Sequence, residues 1–150
     1  MSVSYWMIEG VGIDTDKIRP HLNQDKLLDL LAEQLPKEDD VLELIQLRED
    51  TGKCPELNID DYLYGQPFDN FADLLTHCDD TDTITYGDDG DGGCYFYYPP
   101  SMPWELREDD PKTIEEVHRR IIIAVQKVTD LSETEIDELI DDELYVVGIG

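Results

Sequence analysis

Carboxylates at regular spacing are the residues through which this chain could do chemistry. Asp25, Asp29 and Glu33 recur every four residues, as do Glu133, Asp137 and Asp141, and Glu135, Glu138 and Asp142 form a second row beside the latter. On a helix, residues four apart lie about 5–6 Å from one another on one face, where like charges cost roughly 0.2–0.5 kcal/mol per pair. Duplex DNA carries one phosphate charge per ~1.7 Å of axis over both strands. Such rows admit two readings: a solvated helix face, or a rigid imitation of a phosphate backbone. In the second, a protein that grips nucleic acid through Lys and Arg meets carboxylates in its groove and releases the same counterions.

A third acidic group is Asp79-Asp80-Thr81-Asp82, followed by Asp88, Asp89 and Asp91 among the glycines of 87–93. Carboxylates around glycine suggest a calcium loop, but the EF-hand pattern fails. Counted from Asp88 or from Asp89, the twelfth position is Pro99 or Pro100, where a bidentate Glu is required. What remains is an irregular divalent-cation site at that tip, or an acidic turn with glycine serving positive φ. The same three carboxylates are candidates for a partner contact.

Catalysis finds no constellation. His21, His77 and His118 are scattered without metal-ligand spacing, and the adjacent His77 and Cys78 point in different directions on any regular element. His118 reads as a boundary residue at the flank of a core helix. The Gly-rich stretch is acidic, so it repels phosphate and matches no nucleotide loop. The expectation is a protein that is not an enzyme, with no cofactor and no assigned metal ligands.

Net charge sets the class of partner. With 37 acids against 11 bases the formal charge is −26, and the pI is about 4.1. Such a field repels nucleic acid and anionic membranes, so the expected partner is a basic protein surface. Apolar residues make up 40%, too many for an acidic disordered chain. Salt adaptation fits poorly, because Ala occurs only at 32, 72 and 124 while Ile and Tyr are frequent. Cys54, Cys78 and Cys94 are odd in number and widely spaced, as suits free thiols in a reducing compartment. The N-terminus lacks a secretory pattern and no run of about 18 apolar residues exists, which gives a cytoplasmic expectation.

In size, pI and acid rows the chain resembles the small acidic DNA-mimic inhibitors that phages and mobile elements carry against CRISPR nucleases or restriction enzymes. The resemblance implies an inhibitor that binds the nucleic-acid-binding surface of a nuclease or other defence protein. The partner-binding residues would then be Asp25, Asp29, Glu33, Glu133, Asp137 and Asp141, with Asp88, Asp89 and Asp91 as a further contact.

The elements that must position these acids can be read from pattern. Residues 4–13 form a strand in which Gly10 and Gly12 mark a bulge or a close backbone approach. Asn23 caps a helix over 24–35, which Pro36 ends. The stretch 37–50 is either helix or strand, with Glu38-Asp39-Asp40 favouring a helix start. Short helical pieces follow Asn58 and cover 68–77. Thr83–Tyr86 and Cys94–Tyr98 are the arms of a β-hairpin whose second arm belongs in the sheet interior. Tyr95, Tyr97, Tyr98, Met102 and Trp104 are a candidate partner anchor; Phe96 is assigned to the core, and Tyr97, Tyr98 and Trp104 are open between the two. Thr113–Glu116 and Ser132–Glu135 are capping boxes. The first opens a core helix with Ile114, Val117, Ile121, Ala124, Val125 and Val128 inward, widened by Ile122 and Ile123. The second opens a helix to about Asp142, and 144–149 closes the chain as a strand. The order implies one α+β domain over 1–150: an antiparallel or mixed sheet of about four strands with helices against it, the two terminal strands as possible neighbours.

Overall fold

The computed structural model describes residues 3–65, 67–99 and 110–150. Four strands form one antiparallel sheet: β1 (Tyr5–Asp14), β2 (Thr85–Asp88), β3 (Cys94–Tyr98) and β4 (Asp141–Ile149), in the order β2-β3-β1-β4. The helices are α1 (Gln24–Gln34), α2 (Asp39–Thr51), α3 (Phe71–Thr76), α4 (Ile114–Gln126) and α5 (Glu133–Leu139), with short 3-10 turns between β1 and α1 and before α3. The fold is α+β, the terminal strands are neighbours, and β3 lies in the interior, as its aromatic content predicts. Among the described residues no helix is long and apolar enough to cross a membrane.

Local chemistry explains most boundaries. Asn23, Asn70, Thr113 and Ser132 each accept a backbone N–H in the first turn of α1, α3, α4 and α5. The box at Ser132 is reciprocal, since the Glu135 carboxylate accepts the Ser132 N–H. At Thr113 only half of it forms, because Glu116 accepts instead from the Lys112 N–H. The ambiguous stretch 37–50 is helical; α2 starts in its acidic turn and stops at Gly52 in the left-handed region, φ 72°.

Three expectations need correction. The first hairpin arm is Thr85–Asp88 rather than 83–86, because the Asp79 carboxylate accepts the Thr83 and Ile84 N–H groups that a ladder would need. Helix α5 stops at Leu139, and Ile140 turns extended (φ −75°, ψ 132°), because the β-rich run after it pairs with β1. On α4, Val117, Ile121, Ala124 and Val125 are buried, as is Val128 in the turn just after it, but Ile114 (53% exposed) lies at the rim and Ile123 on the back of the helix. At 100° per residue Ile123 falls nearly opposite Ile121.

The core lies between one face of the sheet and the helices. Ile13 and Phe96 are directly opposed on β1 and β3 and fully buried, and they join Leu27, Leu28 and Leu31 of α1, Phe71, Leu74 and Leu75 of α3, the α4 stripe and Ile136 of α5. Cys78 and Cys94 are buried free thiols and Cys54 is half-buried; burial pushes the Cys78 thiol up to about 12. On the other sheet face Ile8 is buried apart from this cluster, its Cδ1 3.3 Å from where a Cβ on Gly87 would sit. Gly10 supplies the irregularity in β1. Its φ is +140°, and a Cβ there would fall 2.0 Å from the Tyr98 carbonyl oxygen. The register of β1 against β4 shifts between Gly10 and Gly12.

Candidate functional site

The hairpin tip is docked onto the ends of the terminal strands. Trp6 Nε1 donates to the Asp88 carbonyl (2.7 Å) and the Ile149 N–H to the Asp89 carbonyl (3.2 Å). Gly90 makes this approach possible: it adopts φ +79°, and a Cβ would fall 2.0 Å from the Ile149 carbonyl oxygen. The Asp88 carboxylate accepts the Gly90 N–H (2.9 Å), and the Asp89 carboxylate accepts those of Asp91 (2.8 Å) and Gly93 (3.0 Å). Two of the three tip acids thus hold the turn together while staying at the surface, and Asp91 is exposed.

The neighbouring acids are also engaged. Asp79 accepts from Thr81, Thr83 and Ile84; burial alone raises its pKa, but these hydrogen bonds outweigh it and hold the carboxyl below the usual range. Asp80 pairs with Lys127 at 2.9 Å. Among the described residues no three His, Cys, Asp or Glu side chains are grouped to hold a metal ion.

Helix α1 presents Asp25, Asp29 and Glu33 on its exposed face, opposite Leu27, Leu28 and Leu31. Arg48, from the facing side of α2, bridges the first two: Nη1 lies 3.2 Å from Asp25 and Nη2 2.7 Å from Asp29. Hydrogen bonding to Asp29 raises the Arg48 pKa further, so this cation is permanent. One guanidinium therefore offsets one of the three charges, and Glu33 has no ion-pair partner among the described residues.

The second row is divided between two elements. Glu133 and Asp137 are exposed on α5, whereas Asp141 belongs to β4, pairs in register with Gly12, and accepts the Glu143 N–H at 2.9 Å. The four-residue spacing is real in sequence but ends as a helix face at Leu139. His118 of α4 reaches this region: Nδ1 lies 2.6 Å from Asp137, and Nε2 is hydrogen-bonded to Asp142. A ring with a carboxylate on each nitrogen donates from both, which is the cationic imidazolium. Partial burial works to lower the His118 pKa, but the bonds to Asp137 and Asp142, and their charges, outweigh it and raise the value. These groups border a groove of about 540 Å³ whose apolar wall is Ile114, Ile122 and Ile123.

The structure thus leaves Asp25, Asp29, Glu33, Glu133 and Asp137 exposed on helices, Asp141 exposed on a strand, and Asp88, Asp89 and Asp91 in a docked turn, so that the nine acids are carried by four different elements, α1, α5, β4 and the β2–β3 turn. Sequence reasoning missed the cations that thread the rows. Arg48 lies 19 residues from Asp29 and His118 19 residues from Asp137, separations that carry no local signal. Tyr97 and Tyr98 are half-buried, Tyr98 against the core, while Met102 and Trp104 lie outside the described residues. Comparison with protein-family models, curated proteins and solved structures finds no match to this chain.

Proposed function

We propose that this protein is an acidic inhibitor that occupies a basic nucleic-acid-binding surface, of a nuclease or another defence protein, and blocks DNA or RNA by imitating a polyanion. The observation that carries the reading is a formal charge of −26 on a folded α+β chain. Charge of that size steers a basic partner into contact and makes association fall steeply with salt. Asp25, Asp29 and Glu33 support it as exposed acids along one helix, joined by Glu133 and Asp137 on α5. The reading assigns no catalysis and no cofactor to the chain.

The experiment is capture of proteins from a lysate on the tagged chain at low salt, followed by a salt gradient. The expected result is basic nucleic-acid-binding proteins that elute steeply with salt and that lose nucleic acid when the chain is added. Retention of no basic protein overturns the reading. The variant Asp25→Asn, Asp29→Asn, Glu33→Gln tests the α1 row by itself: weaker capture with an intact fold supports it, and undiminished capture removes that row from the interface.

A further inference from the structure

Strand β4 is the outer strand of the sheet beside β1. Ser4 and Gly150 exchange both main-chain bonds, Ser4 N to Gly150 O at 2.7 Å and Gly150 N to Ser4 O at 3.0 Å. In an antiparallel ladder such pairs alternate with pairs whose amides point away from each other. The register therefore turns the N–H and C=O of Ile149, Val147 and Tyr145, opposite Tyr5, Met7 and Glu9, toward the outer edge. Ile149 shows this directly, because its N–H is taken by the Asp89 carbonyl of the hairpin tip. The outward N–H groups of Tyr145 and Val147 have no partner among the described residues.

The same residues carry an uncovered apolar surface. Met7 is 57% exposed, Tyr145 59% and Val147 45%, with Tyr5 and Ile149 continuing the row. Tyr145 Oη sits 3.2 Å from Met7 Sδ, so these side chains form one connected patch. From Leu144 to Ile149 the strand has none of the Lys or Pro residues that commonly guard an edge. Its approach is acidic, through Glu9 opposite Tyr145 and Asp141, Asp142 and Glu143 at the start of the strand. A second copy of the chain would bring another −26 to this edge, so complementarity selects a cationic segment.

We infer that the β4 edge at Tyr145 and Val147 takes up an extended basic segment of the partner protein as a fifth strand, its apolar side chains lying on Met7, Tyr145 and Val147. Main-chain bonds to the open amides supply register, and Glu9, Asp141, Asp142 and Glu143 select Lys and Arg where the segment passes the start of β4. This deepens the proposed function and rests on its reading that the partner is basic.

The test uses a labelled ten-residue peptide of alternating Lys and Val with blocked ends, and the full chain. Binding is read by fluorescence anisotropy, and amide hydrogen exchange by NMR. The expected result is salt-sensitive binding that slows exchange at Tyr145 and Val147. The variant Val147→Pro removes an outward donor without removing a bond to β1, because proline is tolerated on the open side of an edge strand. It should weaken the peptide about tenfold, the scale of one lost main-chain hydrogen bond. If that variant loses its fold, Val147→Lys, at an exposed position, is the replacement and should weaken the peptide similarly. Absence of binding, binding without protection of those two amides, or undiminished binding by the folded variant overturns the inference. So does a dimer of the free chain that protects them, because the occupant is then a second copy. Failure here, with basic proteins still captured from lysate, leaves the proposed function standing; capture of none removes that function separately.

Discussion

The two acid rows look alike on paper and differ in the folded chain. On α1, Asp25 and Asp29 share the guanidinium of Arg48, a cation that does not titrate, and the row stays helical from end to end. On α5 the partner is His118, a titratable cation whose pKa the two carboxylates raise, and the row breaks where Asp141 passes into β4. The cation on the α1 row therefore does not change with pH, while the charge around α5 becomes more negative as His118 deprotonates. An acid spacing fixes where carboxylates sit; the cation packed against them fixes how much charge a partner meets.

The largest effects should come from beneath the rows. Leu28 of α1 and Ile136 of α5 are both fully buried, and truncating either to Ala is expected to cost about 2–5 kcal/mol in urea unfolding. A loss below about 1 kcal/mol for Ile136→Ala would mean that α5 is loosely held, and that only the α1 row is a rigid display.

Replacing the two cations sharpens the contrast. Arg48→Gln should lower stability by no more than about 1 kcal/mol, because its partners are largely exposed, and by the same amount at every pH from about 6 to 8.5. His118→Gln should behave differently. The folded state holds the His118 proton more tightly than the unfolded chain does, so the pairing stabilises fully below the unfolded value of about 6.5. That contribution fades as pH rises through the raised folded value. The gap between wild type and His118→Gln should accordingly be widest in mildly acidic buffer and close in alkaline buffer. A gap that stays constant across that range would show that the imidazolium is not what joins α4 to α5 and β4.

The smallest effect belongs to Glu33→Gln. With no ion pair among the described residues to lose, the fold should change by less than about 0.5 kcal/mol in thermal unfolding. Capture of basic proteins should still weaken, because the substitution removes the one α1 carboxylate that Arg48 does not reach.

Much of the fold was legible because its signals are local. Asn23, Asn70, Thr113 and Ser132 each announce a helix start through a bond that closes within one turn. The alternation around Phe96 and the Gly10–Gly12 irregularity likewise speak through nearest neighbours and close packing. Where local signals competed, the sequence was less informative. Thr83 and Ile84 have strand-forming side chains, yet a carboxylate four and five residues upstream takes their amides. Helix periodicity runs past Leu139, yet pairing with a strand more than a hundred residues away pulls Asp141 out of the row.

The candidate site divides along the same line. The sequence by itself determined the sign of the charge and the spacing of the acids, because net charge is a sum that folding leaves unchanged. Only the tertiary structure decided that Arg48 and His118 thread the acid rows, that the hairpin tip docks on Trp6 and Ile149, and that the outward β4 amides of Tyr145 and Val147 have no partner among the described residues. Each of those depends on residues distant in the chain meeting at a few ångströms, which spacing along the sequence does not encode.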